Sequence, residues 1–248
     1  MITIKTKEQI AKMQAAGEIL AACHREIAKM IRPGITSQEI DQFAEKFIRD
    51  HGATPEQKGY NGYPYATCAS VNDVICHGFP KPEPLKDGDI VTIDMVVNLD
   101  GWLADSAWSY GVGTVSEEAD KLMRVTKESL YKGIEQSVIG NRLGDIANAI
   151  QTHAEAANLA VVREFIGHGI GQIMHEEPQV LHYGPAGRGT RLKEGMVFTI
   201  EPMLNIGDWR SKLDSDGWTA RTRDGSLSAQ YEHTIAITAD GPIILTKQ

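Results

Sequence analysis

Apolar residues recur at helical spacing over 7–31, at Ile10, Met13, Ile19, Leu20, Ile27 and Ile31, until Pro33-Gly34 ends the pattern. Thr36-Ser37-Gln38-Glu39 then has the form of a capping box, in which two side chains satisfy the free N–H groups of a first helical turn. It predicts a second helix through Ile40, Phe43 and Phe47 to Gly52. The same plan returns downstream, with a helix over 117–137, a break at Gly140-Asn141 and a helix through Ile146 and Ile150. After each helical pair the pattern becomes β-rich. LKDGDIVTID (85–94) and LKEGMVFTIE (192–201) share a lysine-acid-glycine turn, an apolar run and a terminal carboxylate. Each is preceded by the spacing I-x-H-x-x-P, at 75–80 and 173–178. Repetition on this scale predicts two halves, about 1–112 and 113–248, that pack as one α/β (α+β) body about a pseudo-twofold axis. No low-complexity linker divides them, so the expectation is a single domain over 1–248.

The repeat makes the acids interesting. Asp100-Gly101 suits a two-residue hairpin turn, and with that turn Asp94 pairs with Ala107 and Val96 with Asp105. Asp94 and Asp105 then become diagonal neighbours on one face, about 7–8 Å apart at the backbone. One more turn residue would put them on opposite faces. A single hairpin acid is ordinarily a solvated turn residue. Asp94, however, sits among Val91, Ile93, Met95, Val96 and Val97, a run that reads as a buried strand, where an uncompensated carboxylate is costly. In the second half Glu201 ends its strand before Pro202, and Glu232 is expected inside an alternating strand, SAQYEHTIAIT (228–238). An insertion over 205–225, rich in Gly, Asp and Trp, replaces the short turn of the first half and is expected to wall the site.

Composition narrows the classes. The 248 residues are 42% hydrophobic, enough for a sizeable core. The net charge is −8 and lysines and arginines are scattered, which argues against a nucleic-acid surface. No apolar run reaches membrane-spanning length and the N-terminus lacks the order of a secretory signal. Three cysteines, Cys23, Cys68 and Cys76, fit neither a disulfide framework nor a paired zinc spacing. Together these point to an intracellular, cytoplasmic protein, and a monomer is the expectation.

Four carboxylates converging from four strands would carry a charge of about −4, which two divalent cations would neutralise. In GHGIGQIMHEEP (167–178) His168 has no histidine counterpart, since the matching position is Ser70, whereas His175 is matched by His77. The stretch alone leaves a metal site, a catalytic base and a tight loop all open. One imidazole among oxygen ligands suits Co, Mn, Fe or Zn.

The ordered set Asp94, Asp105, His168, Glu201 and Glu232, in the contexts TID, ADSAW, GHGIG, TIEPM and QYEHT, closely resembles type I methionine aminopeptidases. The resemblance covers nearly the whole chain and is closest to the short bacterial form. It implies the pita-bread fold, two pseudo-symmetric halves around a curved antiparallel sheet with helices outside. It also implies a dinuclear site that removes the initiator methionine from nascent chains whose second residue is small. In that family Asp94 would chelate one metal, Asp105 and Glu232 would bridge both, and His168 and Glu201 would complete the other ion's ligands.

Three groups are candidates for catalysis: Glu201 to carry a proton to the leaving amine, His175 to stabilise the developing oxygen charge, and His77 to contact the substrate. For both histidines, support of the loops ending at Pro80 and Pro178 is the alternative. The resemblance places the methionine slot at Tyr60, Tyr63, Cys68, Met174 and Trp218, with Cys68 equally readable as a buried small side chain. Met174 stands where an aromatic residue is common in the family, and Gln57 where a smaller residue can occur. Asn72, Val74 and Ser228 match a monovalent-cation loop of relatives. The implied partners are nascent polypeptide N-termini near the ribosome. X-Pro peptidases of the same fold, and non-catalytic relatives, are the rival readings.

Overall fold

The computed structural model describes residues 1–248. In the first half, α1 (Lys7–Met30) and α2 (Ser37–Asp50) are followed by β1 (Thr54–Pro55), β2 (Cys68–Val71), β3 (Val74–Cys76), β4 (Ile90–Leu99) and β5 (Trp102–Gly111). The second half repeats the order with α3 (Glu117–Glu135), α4 (Leu143–Ala156), β6 (Ala160–Val161), β7 (Gly167–Gly169), β8 (Glu176–Val180) and β9 (Val197–Ile200). It then continues through β10 (Met203–Asn205), β11 (Ser211–Leu213), β12 (Ala220–Thr222), β13 (Ser228–Gln230), β14 (His233–Thr238) and β15 (Gly241–Ile244). All strand pairs are antiparallel.

The helices form where the periodicity places them, and the caps follow the chemistry. Thr36 Oγ1 accepts from Glu39 N–H while the Glu39 carboxylate accepts from Thr36 N–H, which closes the expected box at α2. At α4 only the return bond is made, from Arg142 N–H to Asp145, because arginine has no side-chain acceptor. The buried faces of α1 and α2 (Leu20, Ile27, Ile40, Ile48) cover Val91, Ile93, Met95 and Val97 of β4. In the second half Leu130, Ile146 and Ile150 cover Phe198, Ile200 and Ile235. Helices thus lie outside and strands face the junction of the halves.

The β4–β5 register is the expected one. Leu99 pairs with Trp102, Asp94 with Ala107 and Val96 with Asp105. The turn residues have positive φ, 51° at Asp100 and 81° at Gly101, the pair of values a type I′ turn requires.

One expectation is corrected. The segment 228–238 is not one strand: it breaks at Tyr231-Glu232, between β13, which pairs with β10, and β14, which pairs with β9 and β15. The break is held from the other half, where Ala107 O accepts from Glu232 N–H at 2.8 Å and Ser106 Oγ donates to Glu232 O at 2.9 Å. The strand leaves one sheet for another there, and the bend turns Glu232 towards Asp105.

Candidate functional site

Asp94 lies in β4, Asp105 in β5, Glu201 just past β9 and Glu232 at the break between β13 and β14. His168 is central in β7, the strand beside β9. The fold brings all five together. Ligand atoms of Asp105, His168 and Glu232 lie within 4.8 Å of one another. His168 Nε2 is 3.6 Å from both Asp105 Oδ2 and Glu201 Oε1. The charges of Asp94 and Glu201 act on Asp105, and those of Asp105, Glu201 and Asp94 act on Glu232.

No lysine or arginine pairs with any of these acids. Burial pushes the Asp94 carboxyl up to about 7. Burial, with the charge of Asp94, pushes Glu201 up to about 8 against the lowering effect of the Thr199 hydroxyl. Asp105 and Glu232 are raised well above the carboxylate range, first by burial and then by their acidic neighbours. Asp94 Oδ1, Asp105 Oδ1 and Glu232 Oε1 are buried and have no hydrogen-bond partner. Buried carboxylate oxygens without partners are what a bound cation would satisfy, so the donor set fits divalent metal.

His168 is prepared for the same role. Its Nδ1 lies 3.0 Å from Gly169 O, and a carbonyl only accepts, so Nδ1 carries the proton and Nε2 faces the acids with a free lone pair. Burial holds its pKa down to about 4, which keeps the ring neutral. The counterpart Ser70 is used differently: its Oγ accepts from Gly78 N–H at 3.3 Å and supports the His77 loop.

A cavity of about 290 Å³ opens beside the acids. Tyr60, Tyr63, Cys68, Met174 and Trp218 all line it, as do His77, His175 and Gln57. Tyr63 meets Trp218 edge-on with ring centres 5.1 Å apart. Gln57 is buried against Cys68 Sγ at 3.1 Å. His77, at φ 57°, is wedged between Phe165 and Trp218 and kept neutral by burial, which lowers its pKa to about 4. His175 Nδ1 lies 2.8 Å from the Tyr60 hydroxyl, and the His175 ring is 4.3 Å from that of His168. The insertion does form a wall, through Trp218 and the β11–β12 hairpin paired to β3. Away from the cavity, Asn72 O accepts from Ser228 N–H at 2.9 Å, which joins two members of the expected monovalent-cation loop beside Val74.

Several contributors escaped the sequence reading. Phe165 and Met203 line the cavity, each within three residues of a predicted ligand, but nothing in their spacing marks them. His182 is buried with Nε2 accepting from Glu201 N–H at 3.1 Å, and Thr199 Oγ1 donates to Glu201 Oε1 at 2.8 Å. Threonine two residues before a strand-end acid is the one local signal that pointed to such support.

Comparison with known proteins agrees with this geometry. The model of metallopeptidase family M24 matches residues 11–239. The methionine aminopeptidase of Clostridium perfringens is 52% identical over 99% of both chains, and methionine aminopeptidase 1 of Bacillus subtilis is 50% identical over 100% of both. The crystal structure of methionine aminopeptidase from Rickettsia prowazekii superposes with a TM-score of 0.98 at 46% identity, covering 100% of each chain. A prolidase from Pyrococcus furiosus shares the fold at a TM-score of 0.79 but only 23% identity, and the match spans 65% of that chain. The chain therefore belongs to the methionine aminopeptidases of metallopeptidase family M24.

Proposed function

We propose that the chain, acting as one catalytic unit over 1–248, removes the N-terminal methionine from polypeptides whose second residue is small, with Asp94, Asp105, His168, Glu201 and Glu232 holding two divalent cations. The observation that carries this is the gathering of Asp105, Glu201 and Glu232, unpaired with any lysine or arginine, around His168, with Asp94 beside Asp105 and an aromatic-lined cavity adjoining. Such cations supply Lewis acidity and lower the pKa of water towards neutrality. Oxygen ligands with a single imidazole suit Mn, Fe, Co or Zn.

The protein's own groups divide the remaining work. Tyr63, Cys68, Met174 and Trp218, with Tyr60 at the rim, bind the methionine side chain through apolar and sulfur contacts. Tyr60 Oη and His175 Nδ1 are 2.8 Å apart, and in the tautomer where the hydroxyl donates, His175 Nε2 carries a proton and donates to the oxygen of the scissile carbonyl. Glu201, oriented by Thr199 and by Gln230 at 3.3 Å, takes a proton from the attacking water and delivers it to the leaving nitrogen. His77 contacts the second residue. Asn72, Val74 and Ser228 hold a monovalent cation that fixes the β2–β3 turn. The enzyme works as a monomer in the cytoplasm, near ribosomes that present new N-termini.

Release of methionine from Met-Ala-Ser and of alanine from Ala-Pro-Ala, after chelation and single-metal add-back, tests the reading. The expected result is methionine release restored by cation and no alanine release. Alanine release alone would put the chain with the X-Pro peptidases.

A further inference from the structure

Lys5 is a lysine without access to water. Its side chain is 2% exposed, and its ammonium lies 2.5 Å from Glu176 Oε2, on a side chain 12% exposed. Lysine is almost never so buried unless paired, and the backbone is shaped around this pair from two directions. Lys5 N–H donates to Gly195 O at 2.8 Å in the turn ahead of β9, where a Cβ on Gly195 would fall 2.6 Å from Lys5 O. A Cβ on Gly171 would lie 2.7 Å from Lys5 Cε and 2.6 Å from Glu176 Oε1, so the ends of both side chains pack directly against the Gly171 backbone.

That loop carries His175 immediately before Glu176. Between Gly169 and Glu176, which pair in the β7–β8 ladder, its backbone bonds are few: Gly171 O accepts from Leu103 N–H, Gly171 N–H reaches Ile173 O at 3.3 Å, and Ile173 is 64% exposed. Two side-chain struts remain. One is the Tyr60 hydroxyl at His175 Nδ1, from the first half, and the other is Lys5 acting on the neighbouring Glu176.

We infer that Lys5 is a positioning residue for His175, with the Lys5–Glu176 pair tying the His175 loop to the turn that leads into the Glu201 strand. This rests on the reading of His175 as donor to the scissile carbonyl oxygen. A donor displaced by about 1 Å can cost about 100-fold in rate, so the strut should be read in turnover and not in methionine binding.

A double-mutant cycle on the metal-loaded enzyme with Met-Ala-Ser separates the possibilities. Lys5→Met is expected to lower kcat about 10-fold with KM within about 3-fold, and to have no further effect on kcat in a His175→Ala background. Glu176→Gln, which keeps the volume and an acceptor for Lys5, enters the same cycle if Lys5→Met does not fold, and a smaller loss with the same non-additivity supports the inference. A role in the fold alone would leave kcat of the folded variant unchanged, or multiply with His175→Ala, and either result overturns the inference. If His175→Ala itself leaves kcat unchanged, the reading of His175 falls and the positioning role falls with it.

Discussion

The two halves build the same unit and use it differently. In the first, a central strand (β4) lies between β2 and β5, and the hairpin turn is two residues long. In the second, β9 lies between β7 and β14, and the connection has grown into the long wall that carries Trp218. Both contribute two acids to the centre. Only the second sets an imidazole against the acids, because His168 stands where the first half has Ser70. Symmetry supplies charge, and departure from symmetry supplies the imidazole beside the acids and the cavity wall, so the two sides of the centre differ.

Breaking the shared part should have the largest effect. Asp105→Ala or Glu232→Ala, one from each half, is expected to lower turnover about 1000-fold, measured as methionine release with saturating cation. Equal activity to the parent would mean the acids do not act as a set.

Breaking the asymmetric part should cost less and from one side only. His168→Ala is expected to weaken cation binding about 100-fold, whereas Ser70→Ala should change it less than about 3-fold, both by calorimetric titration. A comparable loss in both would show that the halves share the ligand burden.

The unneutralised centre has a pH signature. Asp94 and Glu201 are raised from 3.8 and 4.5 to about 7 and about 8, so the metal-free fold binds protons more tightly than the unfolded chain does. That contribution is complete below about pH 4 and is lost as pH rises through about 7–8. Melting of stripped protein should therefore fall from about pH 5 to pH 9, while cation, which binds the deprotonated acids, should largely remove the decline. A stripped protein that gains stability over that range would contradict the burial of these groups.

The smallest effect concerns the caps. Thr36→Ala at α2 should cost about 1 kcal/mol, or about 2–4 °C in Tm, because it removes the acceptor for Glu39 N–H. Arg142→Ala at α4, where no side-chain acceptor exists to be lost, should stay within about 0.5 kcal/mol.

Legibility in the sequence follows range. The helices, the Thr36 box and the Asp94–Asp105 register were readable because each is set by residues a few positions apart and by a turn whose chemistry admits one geometry. Asp94 and Glu201 were readable through the repeat and Asp105 through the hairpin register, whereas the full set of five, with His168 and Glu232, was legible through the family resemblance. The break at Glu232 was not, since Ala107 and Ser106 impose it from a distant hairpin on a segment whose own alternation favours a continuous strand. His182, Phe165, Met203 and the Lys5–Glu176 pair were hidden for the same reason: their roles exist only once remote segments are packed.

The Asp100-Gly101 turn also bears on the order in which the molecule is made. Its ladder joins neighbours in sequence, and such contacts close quickly, before long-range ones. On a chain emerging from its N-terminus, Asp94 and Asp105 are thus side by side while Glu201 and Glu232 are still unsynthesised. Half of the acidic cluster is set by the first half of the chain, and the four-acid group is complete only once the last strands are made.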